Sequence, residues 1–317
     1  SLSIAAGKTL ESSLITGDGA AQTLLNSGNI NSNINLGGGA NVFNNMAGST
    51  FTGSLNASGS VDMTVGAGAI ATITGTSVTG AGGFLTITGG LLTLDANFSH
   101  GGVFTNNGVV NMNLNTLTVA THAGGTGLYE IDVLQTAAFD VGNVNAHLFG
   151  KMVVTGGAAN FGGVGTSFDV NVLDDTIMAH GTEMLVASGS TVGPATLLTE
   201  DVTDNSALLD FEMISGATSV TTGDDAGDVY LRVFNNLTVL GNTDNNDAVG
   251  DVLALLGTAG DATLDTIQLL ISDLAGDPAA VNAALDILLP TVDGAAVTTV
   301  MAFTNDTLDV VDHQLAG

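Results

Sequence analysis

Along most of the chain, apolar residues alternate with Thr, Asn or Asp in short runs that stop at Gly or Asn. Val61–Gly66 (VDMTVG), Ile70–Gly75 (IATITG), Phe84–Gly90 (FLTITGG) and Leu91–Asp95 (LLTLD) are examples. Period-two alternation bounded by closely spaced turn residues predicts half-buried strands. A longer unit also recurs. Ala40–Gly53 (ANVFNNMAGSTFTG) and Gly101–Leu114 (GGVFTNNGVVNMNL) share a V-F-(T)-N-N core about sixty residues apart, and Arg232–Gly241 (RVFNNLTVLG) carries it again.

Strands this short, returning roughly every twenty residues, fit the stacked coils of a right-handed parallel β-helix. A sandwich shows longer strands and aromatic anchors, and a propeller shows a stronger blade signature. Only Pro194 interrupts residues 1–277, and Asn and Thr recur where stacked ladders would pair. Coils of this kind bury one aliphatic column and need no large aromatics, in keeping with 4% aromatic residues and no Trp. At about 4.8 Å per rung, about eleven rungs would form a rod ~50 Å long.

The pattern divides the chain into four parts. Residues 1–118 are β-helix rungs, and 119–240 carry longer, more regular strands that predict the capping end of the solenoid. Residues 241–291 switch to helical spacing in three short helices, the third with Asp277 as N-cap and Pro278 at the first helical position. Residues 292–317 predict a last helix, so the fold class is a mainly β solenoid with a C-terminal α-helical appendix. Val297, Met301, Thr304, Leu308, Val311 and Leu315 follow one another at intervals of four and three, a heptad seam with one polar position. Its other positions are small, uncharged or acidic and form no Lys/Glu pairs. Such a helix suits a narrow polar enclosure; otherwise Val297, Met301, Leu308, Val311 and Leu315 offer a self-association seam.

Charge narrows the function. Thirty-one acids face only Lys8, Lys151 and Arg232, a formal net charge of −28. Phosphate neutralisation needs clustered cations, so nucleic acid is not an expected partner, and an anionic membrane surface is disfavoured. Without cysteine there is no disulfide or thiolate chemistry. No apolar run reaches the length of a membrane-spanning helix. The start, SLSIAAGKTLESSL, has neither the basic head nor the apolar run of a signal peptide, so an exported form would be a mature or excised piece.

Catalytic constellations are weak. A lyase on this fold needs cations around an acidic sugar, and the three present are far apart in sequence. Hydrolases use spaced carboxylate pairs, whereas Asp174–Asp175 and Asp224–Asp225 sit in turn-like contexts. His100, His122, His147, His180 and His313 neighbour no G-x-S-x-G elbow and lack zinc-site spacing, so each reads as a surface or turn residue. Calcium is the one cofactor expectation. Asp224, Asp225 and Asp228 lie in a Gly-bounded turn (TTGDDAGDVY) whose oxygen ligands suit a hard cation. Asn242–Asp251 resembles an acidic loop but has Asp247 where an EF-hand needs Gly.

Residues Asn113–Gly317 resemble the C-terminal half of a type V autotransporter passenger. The likeness rests on an ordered series: NTLTVATHAGGTGLYEIDV (Asn115–Val133), a K-x-x-V-T-G-x-A strand (Lys151–Ala158), G-T-x-x-D-V-x-V (Gly165–Val172), DNSALLDF (Asp204–Phe211) and GDVYLRV (Gly227–Val233). Helices like NDAVGDVLALLG and AALDILLPTVDGAAVTTVMAFTN follow, the last resembling the linker that threads the translocator barrel. Residues 1–112 match only as generic β-helix. The resemblance implies a passenger displayed at the surface of a Gram-negative cell, with its own translocator β-barrel as partner in the precursor. The expected function is non-enzymatic adhesion or surface coating, through ligands on host or neighbouring cells. The alternative is a self-assembling S-layer-like or filament subunit with cation-bridged acidic faces. A polysaccharide-acting enzyme is the third reading.

Overall fold

The computed structural model describes residues 1–135, 147–173, 178, 181–189, 195–197, 202–206, 209–219, 226–235, 267 and 278–288. The described strands, in chain order, are β1 (Leu2–Ile4), β2 (Thr9–Thr16), β3 (Thr23–Asn26), β4 (Asn29–Asn35), β5 (Asn41–Asn45), β6 (Thr50–Gly53), β7 (Leu55–Asn56), β8 (Val61–Val65), β9 (Ile70–Ile73), β10 (Ser77–Leu94), β11 (Phe98–Asn111), β12 (Thr116–Gly125), β13 (Leu128–Gln135), β14 (His147–Phe149), β15 (Lys151–Val154), β16 (Ser167–Val172), β17 (Glu183–Ser188), β18 (Thr203–Asp204), β19 (Leu209–Ser215) and β20 (Val229–Asn235). Among the described residues the helix α1 (Pro278–Leu288) follows.

These strands form a parallel β-solenoid of about six turns. Each turn contributes three stretches, and each stretch stacks on its equivalent one turn away. Face A joins β1, β3, β5, β8, the middle of β10, the middle of β11 and the end of β12. Face B joins the start of β2, the start of β4, β6, β9, the ends of β10 and β11, then β13, β16 and β18. Face C takes in the end of β2, the end of β4, β7, the starts of β10, β11 and β12, then β15 and β17.

Alternation turns every second side chain inward, and stacking places like on like. Leu24, Phe43, Met63, Leu85 and Phe104 form the inner column of face A, with Ile30, Phe51, Ala71, Leu92 and Val110 on face B. All are essentially fully buried, and each large side chain contributes about 1.5–3 kcal/mol relative to exposure. The first two V-F-N-N copies occupy equivalent places, since Phe43, Met63, Leu85 and Phe104 are successive register partners. The third copy differs: its Val233 and Phe234 lie on β20, which is paired antiparallel.

The expected ladders are present. Asn26, Asn45 and Asn106 are buried at the corner between faces A and B. Asn26 Nδ2 donates to Asn45 Oδ1 (2.7 Å) and to the Thr50 carbonyl (2.8 Å), while its Oδ1 accepts from Gly28 N–H (3.0 Å). Asn45 Nδ2 donates to the Ile70 carbonyl (2.8 Å), and Asn106 Nδ2 to that of Leu128 (2.9 Å). Each amide thus supplies, inside the corner, partners that the turning main chain would otherwise lack.

The expectation of about eleven rungs is corrected to about six turns. Up to β12 the register advances by about twenty residues per turn, as in Leu10↔Ile30 and Phe51↔Ala71. Beyond it, Leu117 pairs with Met152 and Tyr129 with Phe168, so one turn takes nearly twice as many residues, the extra ones in excursions. At ~4.8 Å per rung the stack is about 30 Å tall.

The far end is not parallel throughout. β20 pairs antiparallel with β17 on one side and β19 on the other. Arg232 of β20 donates to Glu183 Oε1 of β17 through Nε (3.1 Å) and Nη2 (2.7 Å), and Ser219 Oγ reaches the other carboxylate oxygen. Glu183 is 3% exposed, so its carboxylate is shielded from solvent, while the Arg232 side chain stays 27% exposed. α1 begins at Pro278, the expected first helical position, and buries Val281 and Leu285 in the hydrophobic core. The other two predicted helices and the helix over 292–317 lie outside the described residues, apart from Ile267.

Candidate functional site: an uncharged lateral ladder beside a buried aromatic box

The outward side chains of face B form two columns. One runs Asn29, Thr50, Ile70, Leu91, Val109, Leu128; the other runs Asn31, Thr52, Thr72, Thr93, Asn111, Glu130. From Asn29 to Asn111 these ten positions hold no charge. Ile70 is 42% exposed, while the Thr side chains are half-buried by the rungs above and below. Thr50 Oγ1 donates to Asn29 Oδ1 at 2.9 Å, so part of the polar column is internally bonded. The result is a flat ribbon of methyls, hydroxyls and amides on a chain of net charge −28.

Charge is segregated along the chain. Glu11, Asp18, Asp62 and Asp95 are the only acids before Glu130, and all others follow. On face B the neutral columns run into Glu130 and Asp169, with Asp132 and Asn171 beside them. Asn171 Nδ2 donates to Asp132 Oδ1 (2.7 Å), Asn205 Nδ2 to Asn171 Oδ1 (2.8 Å) and Thr203 Oγ1 to Asp169 Oδ1 (2.6 Å). Burial raises the Glu130 carboxyl above its ordinary value, and the Asp169 and Asp132 charges add to this against a hydrogen bond from Asn111. Asp204 is pushed up to about 6, first by burial and then by Asp210 and Asp169, with the Ser206 N–H opposing.

Behind the ladder, at the change of period, lies a box of rings. Phe104 stacks on His122 (centroids 5.4 Å apart), and Tyr129 and Phe161 meet His122 edge-on at 5.7 and 5.1 Å. Phe168 closes the box against Tyr129 and Phe161. His122 Nδ1 accepts from Asn160 N–H (3.1 Å), which leaves Nε2–H to donate to Tyr129 Oη (2.7 Å). Burial alone holds this imidazole down at about 3, and burial lifts the Tyr129 phenol above its ordinary value. β12 can come this close only through Gly125: its φ is +139°, and a Cβ there would sit 1.8 Å from the Asn106 carbonyl oxygen.

The expectation that the histidines lie on the surface or in turns is therefore wrong for His100 and His122. His100 is 1% exposed, with Nδ1 3.0 Å from Thr79 Oγ1 and Nε2 unpaired. Its pKa falls to about 4 through burial, partly offset by Asp62. Both sit on inward positions because polarity does not override strand parity when the ring finds partners. The expectation of a core without large aromatics is corrected too, since the box fills the column where coils of unequal length meet.

The remaining predicted site residues are only partly placed. Asp228 is buried next to β20; its Oδ1 accepts from Gly189 N–H (2.8 Å) and its carbonyl from Gly216 N–H (2.9 Å). Asp224 and Asp225 lie outside the described residues, as do Asp174, Asp175, His180, His313 and the seam Val297, Met301, Leu308, Val311 and Leu315. Among the described residues no group of three or more His, Cys, Asp or Glu is placed to hold a metal. The Lys151–Val154, Ser167–Val172, Leu209–Phe211 and Val229–Val233 parts of the passenger-like series all fall on strands. No family model matches the chain, and neither does any curated protein or solved structure.

Proposed function

We propose that the chain is a non-enzymatic, surface-displayed passenger that works in adhesion or surface coating through face B. The reading rests on the uncharged ladder from Asn29 to Asn111. On so acidic a protein, long-range repulsion opposes contact with the anionic surfaces of cells or other copies, and it is weakest over this ribbon. Flat columns of methyl and hydroxyl groups make many small contacts, none decisive alone, which suits adhesion to an extended surface rather than capture in a pocket. Display by an autotransporter route is supported by the ordered motif series over residues 113–317.

The double substitution Thr72→Glu/Thr93→Glu places two charges in the centre of the ribbon and touches no inward residue. Retention of the purified chain on intact Gram-negative cells and on polystyrene, followed by quartz-crystal microbalance, is expected to fall at least tenfold. Equal retention by the variant would remove face B from the reading, and no retention of the unsubstituted chain would remove adhesion itself. A second reading, a coat subunit joined through cations, is favoured by the acidic column Glu130–Asp169 with Asp132 beside it. Sheets or filaments in negative stain that appear with calcium and vanish with chelator would select it, and would also bear on the Asp224, Asp225 and Asp228 turn.

A further inference from the structure

Beyond β12, among the described residues, the strand-to-strand parallel ladder continues on faces B and C, and face A keeps one parallel bridge, Asn160↔Thr196. Thr116–Val119 pairs with Lys151–Val154 on face C, and Leu128–Val133 with Ser167–Val172 on face B. On face A the next layer above the end of β12 is the segment Ala159–Phe161, and no main-chain hydrogen bond joins it to Thr121–Gly125. Its own main chain turns to the other side: Phe161 N–H donates to the Thr196 carbonyl (2.8 Å), and Thr196 N–H to that of Ala159 (3.1 Å). What crosses the seam is side-chain bonding. Asn160 N–H donates to His122 Nδ1 (3.1 Å), Asn160 Nδ2 to the Ala123 carbonyl (3.4 Å) and Thr166 Oγ1 to the Gly125 carbonyl (2.6 Å).

We propose that His122 is a proton-operated latch: protonation of Nδ1 turns the acceptor of Asn160 N–H into a second donor and opens the face A seam, while faces B and C stay closed. The groups packed around the ring bear this out. From β11 come Phe104 and Asn106, from β13 Tyr129, and from the layer above Phe161 and Asn160. Tyr129 is the only titratable group among them, and it is neutral throughout the acid range because burial raises its pKa. With no carboxylate facing the ring, a proton gains no counter-charge there and must break a bond instead. His100, the other buried imidazole, lies on face C and contacts Phe98 and Thr79, not this seam.

The open form regains an ordinary imidazole. With the closed ring at about 3 and an open one at 6.5, the opening equilibrium rises about 200-fold between pH 7 and pH 4. Amide hydrogen exchange of the whole chain, corrected for intrinsic rates, tests this. Protection at Asn160 is expected to fall by that factor while Lys151 and Leu173, whose N–H groups cross to Asn115 on face C and Val133 on face B, keep theirs, and His122→Gln is expected to abolish the difference. Two results would overturn the latch: loss of protection at Lys151 and Leu173 in step with Asn160, or an unchanged pH response in His122→Gln. Should the variant not fold, the comparison among the three amides in the unsubstituted chain still decides.

Discussion

Asn45 behaves as an extra peptide unit at the corner between faces A and B, accepting from Ser49 and Asn26 and donating to the Ile70 carbonyl. Asn45→Ala leaves that carbonyl buried without its donor and is expected to cost about 2 kcal/mol in urea unfolding. Thr72→Ala on the outer ladder should stay within about 0.5 kcal/mol in the same measurement. Both residues are polar members of alternating strands, and only inward or outward parity separates them. His100 shows that this signal can be read. Phe98 and His100 are two apart in F-S-H and both face inward, so parity marks the histidine as interior where residue type points to the surface. His122 offers less: Val119 and His122, both inward, are three apart, because the chain turns from face C to face A between them.

At the scale of elements, the short runs of residues 1–118 are the most legible. Their period-two pattern, close-set turns and roughly twenty-residue return correspond to stacked strands in parallel register. The runs after Val119 are also strands, but nothing in their alternation states whether a neighbour runs parallel or antiparallel. β17, β19 and β20 look like further rungs and instead form an antiparallel group pinned by Arg232 and Glu183. Arg232→Met leaves the buried carboxylate without its guanidinium and is expected to lower stability by about 3 kcal/mol, read by chemical denaturation. Glu183→Leu/Arg232→Met together should recover most of that loss, because the uncompensated charge rather than the missing pair dominates the cost.

For the whole molecule, two kinds of titratable group pull stability in opposite directions. His100 and His122 take up protons more readily when unfolded, so their contribution is intact above 6.5 and is lost as pH falls toward about 4 and about 3. Asp204 has the reverse sign. Its folded pKa of about 6 exceeds its ordinary 3.8, so its contribution is full below 3.8 and is lost as pH rises through 6. Melting temperature is therefore expected to peak in mildly acidic buffer. Asp204→Asn should raise it at pH 8 and leave it unchanged at pH 3.5, as scanning calorimetry across that range would show.

The sequence by itself determined the solenoid, the inward aliphatic columns, the Asn ladders and the start of the helix at Pro278. Each of these follows from local periodicity or from a residue type with one strong conformational use. Tertiary structure alone decided the number of turns, the antiparallel end, the ring box and the uncharged ladder. Those depend on which residues stack one turn apart, and the spacing changes from about twenty to 35 or more once the coils carry excursions. An outward Thr or Ile is unremarkable on its own strand; it becomes part of a surface only when register sets Thr52, Thr72 and Thr93 in line.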